Sequence, residues 1–231
     1  MIELREVGFS YPDGQPALAG ISLAIAAGER VAVLGANGAG KSTLLLQLNG
    51  LLRGSGTITI DGLVLAPATL RAIRQRVGFV FQDPDDQLFC TSVREDVAFG
   101  PRQARLPEAE VQARCAEALA AMGIADLATR HPHHLSLGQK KRAAIATALA
   151  LRPSVLVLDE PSASLDPRTR RELIARLSTQ SCTLVVASHD LALVRELCPR
   201  SVVLERGRVA ADGTTGEVLN NASLLMETGL A

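Results

Sequence analysis

Two short stretches of this chain carry residues that could do chemistry together. The first is Gly35-Ala36-Asn37-Gly38-Ala39-Gly40-Lys41-Ser42-Thr43, which closes the apolar run Glu29–Gly35 and opens a helix expected over Lys41–Leu52. It matches G-x-x-x-x-G-K-[ST] at every fixed position. Glycines there let the backbone curl until several N–H groups point inward, and the helix N-terminus adds its positive dipole end. Such a cradle holds phosphate oxygens. Lys41 would reach β- and γ-phosphates as a point charge, Ser42 would offer a hydroxyl to Mg²⁺, and Thr43 would contact an α-phosphate. The second stretch is Val155-Leu156-Val157-Leu158-Asp159-Glu160-Pro161. It brings two adjacent carboxylates to the end of an apolar strand, where open parallel sheets bind ligands. Asp159 suits Mg²⁺, which takes oxygen ligands and keeps several waters. Glu160 suits the polarisation of an attacking water.

Elements of alternating type must position these groups. Strands are expected over Ile2–Ser10, Ile21–Ile25, Glu29–Gly35, Thr57–Asp61 and Val77–Phe81. Ser154–Glu160 and Thr183–Ser188 are wholly apolar up to their ends, the pattern of strands covered on both faces of a parallel sheet. Helices are expected over Pro107–Met122, Gly138–Leu151, Pro167–Ser178 and Asp190–Leu197. Strand and helix alternate through the last third, and residues 85–150 show no strand pattern. The chain reads as one α/β domain over 1–231 with a helical insertion at about 85–150.

Composition bounds the possibilities. The 231 residues carry 24 basic and 24 acidic side chains, so binding through a broad basic surface is disfavoured. Aromatics are 3% with no tryptophan, which argues against stacking platforms for single strands. The longest apolar runs, Ala17–Ala27 and Ala143–Leu151, are too short to span a bilayer, and no signal peptide is read at the start. A cytosolic location is expected. Cys90, Cys115, Cys182 and Cys198 lack C-x-x-C spacing, so separate thiols are expected. Lysine occurs only at positions 41, 140 and 141, too rarely to serve as general surface charge.

The two chemical stretches define a P-loop NTPase, and further motifs narrow the class. Leu135-Ser136-Leu137-Gly138-Gln139 resembles the LSGGQ signature of ATP-binding cassette (ABC) ATPases. Gln82 follows the strand Val77–Phe81, where that family has its Q-loop. His189 follows Thr183–Ser188 and matches the switch histidine. Ser164-Leu165-Asp166 resembles the D-loop, and Tyr11 stands where the family stacks an aromatic on adenine. The order is right and the likeness covers essentially the whole chain. Leu137 replaces the first glycine of the signature, and Ser162 stands where threonine is common.

The resemblance implies a RecA-like mixed-sheet core with an N-terminal antiparallel β region and a helical subdomain. It implies ATP and Mg²⁺ as cofactors. Two cassettes would pair head to tail, Ser136, Gly138, Gln139 and Asp166 of one reaching the ATP held by the other. Gln82 would join Ser42 and Asp159 at Mg²⁺ and would be catalytic together with Glu160 and His189, His189 contacting the γ-phosphate beside Glu160. Within the family, Phe81-Gln82-Asp83-Pro84-Asp85-Asp86-Gln87-Leu88-Phe89 looks like the FQNPDDQLF segment of energy-coupling-factor (ECF) ATPases. Ser92–Pro101 and Leu135–Arg142 continue that likeness, and His133-His134 and Leu224–Leu230 resemble the cobalt and nickel members most, which implies cobalt as cargo with nickel or a vitamin such as biotin the alternative. This implies a homodimeric ATPase at the cytoplasmic face of a bacterial inner membrane, peripheral and not inserted, working with transmembrane coupling and substrate-binding subunits. Asp83, Asp85 and Asp86 are expected to shape a docking loop, with a metal site the alternative. His131, His133 and His134 are expected to be loop histidines, with a metal sensor the alternative. A nucleic-acid ABC protein would carry coiled-coil insertions, fused cassettes or basic extensions, and none is read here. A P-loop kinase would not need the signature or the switch histidine.

Overall fold

The structure is a computed structural model and describes residues 1–230. Two sheets form its frame. An antiparallel sheet holds β1 (Ile2–Ser10) and β2 (Pro16–Ile25), then β4 (Ser55–Ile60) and β5 (Leu63–Val64), in the order β2-β1-β4-β5. The second sheet holds β3 (Arg30–Leu34), β6 (Val77–Val80), β7 (Val155–Asp159), β8 (Thr183–Ala187), β9 (Arg200–Glu205) and β10 (Arg208–Thr214). Its order is β10-β9-β3-β8-β7-β6, parallel from β9 to β6 and antiparallel at β10.

Side chains of the second sheet alternate between two cores. Ala32 and Leu34 of β3, Leu156 and Leu158 of β7, and Leu184 and Val186 of β8 join one cluster with the helices. Val31 and Val33, Val155 and Val157, and Val185 and Ala187 join the other with the antiparallel sheet. Successive residues of a strand point to opposite faces. Both faces are covered, which is why these strands are apolar throughout.

The helices are α1 (Lys41–Leu48), α2 (Leu70–Arg76), α3 (Val93–Gln103), α4 (Glu108–Ala121), α5 (Leu137–Leu149), α6 (Pro167–Ser178), α7 (Leu191–Leu197), α8 (Thr215–Asn220) and α9 (Ala222–Glu227). Helix α1 stops short of the expected Leu52. Gly50 turns left-handed at φ +68°, and the Leu51 and Leu52 amides both donate back to Leu46 O. Helix α3 lies in the helical insertion expected at about 85–150, although no bounds are read for it. Pro101 lies in its last turn, where only one ladder bond is lost. Between β6 and β7 no strand intervenes, and α3, α4 and α5 pack on one another there. The β9–β10 hairpin, α8 and α9 also went unread. Strand β2 begins at Pro16, five residues before the expected start.

Candidate nucleotide-binding site

The cradle forms where the sequence places it, between β3 and α1. Gly40 precedes α1 at φ +104°, and a Cβ there would lie 2.6 Å from Ala17 O. Only glycine fits both constraints. Lys41 is buried, and its Nζ donates to Gly35 O at 2.7 Å and Ala36 O at 3.0 Å. The ammonium therefore lies along the loop it belongs to. Asn37, Gly38, Gly40, Lys41, Ser42 and Thr43 line a cleft of about 530 Å³. Tyr11, Gln82, Glu160 and His189 line the same cleft. Gly35, Ala36 and Ala39 of the loop are not in its lining. Tyr11 starts the turn between β1 and β2. Its hydroxyl lies 2.9 Å from Thr43 Oγ1, and its ring meets Phe9 edge-on at 5.1 Å.

A second cleft adjoins the first, and Ser42 and Gln82 border both. Asp159 also lines the second, so the three residues expected at Mg²⁺ share one space. Asp159 is buried, and its Oδ1 has no hydrogen-bond partner. Burial pushes its carboxyl pKa up and the Glu160 charge adds to this, while Ser42, Lys41 and Lys141 oppose it. An orphaned buried carboxylate oxygen beside a hydroxyl and a carboxamide fits a hard cation with oxygen ligands.

Glu160 follows Asp159 in the left-handed region, at φ +46°. Its N–H donates to Ala187 O at 2.9 Å, tying the turn to β8. Its Oε2 accepts from Ser188 Oγ at 3.2 Å and from the His189 amide at 3.3 Å, and lies 2.9 Å from His189 Nδ1. The histidine side chain is 68% exposed and the glutamate side chain 9%, so the pair spans the wall of the cleft. This arrangement can hold a carboxylate ready to accept a proton beside a ring able to reorient.

Ser136, Gly138, Gln139 and Asp166 line neither cleft. Ser136 and Gln139 form a capping box at the start of α5. The Gln139 N–H donates to Ser136 Oγ at 3.4 Å, and the Ser136 N–H donates to Gln139 Oε1 at 2.9 Å. Asp166 caps α6 and accepts from the Arg168 and Thr169 amides and from Thr169 Oγ1. These bonds, Thr169's first, hold its carboxyl below the usual range. Each residue thus has a local task, and within one chain none meets the phosphate cradle. Leu137, at the departure from the signature, is exposed and borders the second cleft.

Asp83 caps the turn Pro84–Asp86, and Asp85 pairs with Lys140 Nζ at 2.7 Å. His131 and His133 stack at 5.1 Å, and His131 Nδ1 accepts from the His133 amide. Among the described residues, no group of three His, Cys, Asp or Glu side chains could hold a metal ion. Two residues at the site escaped the sequence reading. Ser188 buries its hydroxyl against Glu160. Lys141 is buried behind the turn, and desolvation pushes its pKa down although Glu160, Asp83 and Asp159 oppose this. The sequence marks Lys141 by the rarity of lysine and by its place just past the signature, but neither gives it a role at the site.

The ABC transporter family profile matches residues 18–163. A putative ABC transporter ATP-binding protein of Streptomyces avermitilis is 52% identical, over 97% of this chain and 86% of the relative. The energy-coupling factor transporter ATP-binding protein EcfA of Methanothermobacter thermautotrophicus is 49% identical, over 100% and 76%. The nickel import ATP-binding protein NikO of Rhodobacter capsulatus is 46% identical, over 99% and 94%. Among solved structures, cbiO1 from Clostridium perfringens, part of the ABC transporter complex cbiONQ, has a TM-score of 0.86 at 40% identity, over 99% of this chain and 94% of that one. The cassette MJ0796, a dimer in a post-hydrolysis state bound to ADP and Pi, has a TM-score of 0.82 at 30% identity, over 93% and 99%. The fold is therefore that of an ABC-type P-loop NTPase, as the motif order implied, and the chain belongs to the ABC transporter family as one of its ATPases.

Proposed function

We propose that this chain is the ATP-hydrolysing motor of an ECF-type importer. It would act as a head-to-tail homodimer binding two ATP and couple hydrolysis to uptake of a transition-metal ion. The observation that carries the ATPase chemistry is the shared cleft, where Lys41, Ser42, Gln82, Glu160 and His189 converge. The relatives EcfA and NikO and the structural neighbour cbiO1 support the importer role. The placement of Ser136, Gly138, Gln139 and Asp166 away from both clefts supports their use by a second cassette.

In this reading Gly35–Thr43 wraps the triphosphate, with main-chain N–H groups and the N-terminus of α1 aimed at its oxygens. Lys41 exchanges its two carbonyl acceptors for β- and γ-phosphate oxygens. Tyr11 offers its ring to adenine at the mouth of the cleft. Ser42, Gln82 and Asp159 would hold Mg²⁺, whose chemistry is to neutralise charge on the β- and γ-phosphates. Glu160 orients the attacking water and takes its proton, and its bonds to Ser188 and the His189 amide aim the carboxylate. His189 leaves Glu160 to meet the γ-phosphate and keep the water in line.

Among the described residues no helix is long and apolar enough to cross a membrane. The proposed site of work is the cytoplasmic face of the inner membrane, with transmembrane coupling and substrate-binding subunits as partners. Cobalt is the cargo implied by the sequence resemblance. Nickel is the second reading, because NikO is so similar. The test is uptake of labelled Co²⁺, Ni²⁺ and biotin by cells with and without the intact complex. Metal accumulation that depends on Glu160 is expected. Biotin accumulation without either metal would refute the metal assignment and leave the ATPase reading intact.

A further inference from the structure

Lys141 sits in the second turn of α5 with only 5% of its surface exposed. A buried ammonium is costly unless its donors are used. Its acceptors are two main-chain carbonyls from distant parts of the chain, Glu160 O at 2.8 Å and Gln82 O at 3.3 Å. Glu160 stands in a backbone region that few residues with a side chain adopt. One of its peptide groups is held by β8 through Ala187 O, and the other is held by Lys141. The loop that carries Gln82 is fastened to the same helix at two further points. Asp85 pairs with Lys140, while Gln87 donates to Ala144 O at 2.9 Å and Thr147 Oγ1 at 2.7 Å. The first residues of α5 form the capping box at Ser136.

We infer that Lys141 is a positioning residue, locking the main chain of Gln82 and Glu160 to α5 so that both side chains keep their aim. Lys141 borders the second cleft, but its ammonium is turned to these two carbonyls. One ammonium thereby makes the Gln82 loop, the Glu160 turn and the helix that begins at Leu137 move as a unit. A shift of the loop is felt at Glu160 through two hydrogen bonds to one atom. The inference rests on the reading of Glu160 and Gln82 as catalytic.

The test compares full-length wild type, Lys141→Met, Lys141→Arg and Glu160→Gln in ATP turnover, ATP binding and amide exchange. Lys141→Met keeps the volume and removes the donors, and is expected to lower kcat about tenfold or more with KM and ATP affinity held within about twofold. Amide exchange is expected to quicken in segments 80–88 and 159–166 and to stay unchanged in β8. Lys141→Arg, which keeps donors at that length, is expected to recover most of kcat. Wild-type turnover in Lys141→Met overturns the inference. So does a fall in kcat without faster exchange in both segments, or one that Lys141→Arg does not repair. Where Lys141→Met does not fold, Lys141→Leu, which also lacks donors, takes its place with the same outcomes. If Glu160→Gln itself turns over normally, the reading of Glu160 fails and the inference falls with it. If Glu160→Gln is inactive while Lys141→Met is unimpaired, the Lys141 inference alone falls.

Discussion

Asp159 is buried with one carboxylate oxygen unpartnered, and burial raises its pKa above 3.8. A raised folded-state pKa means that the native state holds the proton more tightly than the unfolded chain does. The sign follows directly: its ionisation costs stability progressively as pH rises above about 4. Asp159→Asn, in protein free of nucleotide and Mg²⁺, is therefore expected to raise Tm at pH 8 and to raise it less at pH 4. The same variant should lose Mg²⁺-dependent turnover. A melting scan showing no gain at pH 8 would contradict the burial argument. Glu160→Gln should keep ATP affinity and lose about 10²–10⁴ in kcat, the usual worth of a general base, with a persistent ATP-bound dimer on gel filtration. Lys41→Ala removes a charge-assisted donor worth about 1.5–3 kcal/mol, so nucleotide titration should show ATP binding weakened about 10–100-fold. Lys41, Ser42, Asp159 and Glu160 were legible because their neighbours in sequence are also their neighbours in space. Lys141 was not, because its acceptors lie 59 and 19 residues away.

Helix α5 shows how an element reconciles a signature with ordinary helix chemistry. Its capping box uses Ser136 and Gln139, and Gly138 lets α6 approach. A Cβ on Gly138 would lie 2.4 Å from Thr169 Cγ2. Thr169 cannot swing aside freely, because its Oγ1 donates to Asp166 at 2.6 Å. Gly138→Ala should therefore cost about 1–3 kcal/mol through overpacking, despite alanine's helix propensity. Tm should fall by about 2–4 °C for each kcal/mol in a chain of this size. An unchanged melting curve would show that α6 gives way. Elements with strong periodicity or clear caps, α4 through α7 and β7 and β8, were readable to within about two residues. The β9–β10 hairpin was harder, since its apolar runs, Val202–Leu204 and Val209–Ala211, are only three residues each. Helix α3 falls within the expected helical insertion, and its last turn accommodates Pro101.

At the scale of the molecule, the site residues divide into two sets. One set belongs to the phosphate loop or borders the two clefts, and the other, Ser136, Gly138, Gln139 and Asp166, lies at the starts of α5 and α6 outside them. Head-to-tail pairing predicts that Ser136→Arg and Lys41→Ala chains are each nearly inactive alone. Mixed, they should recover at most one competent site per mixed dimer, as read by ATP turnover of the mixture. Full activity of either variant alone would exclude composite sites. The phosphate cradle, the strand-end carboxylates and the order of the motifs follow from local sequence, because each depends on residues within a few positions of one another. The meeting of Glu160 with Ser188 and His189, the orphaned oxygen of Asp159 and the grip of Lys141 on two distant carbonyls do not. They arise from the parallel pairing of β7 with β8 and the packing of α5 behind that edge, and such contacts leave no periodic trace in the chain.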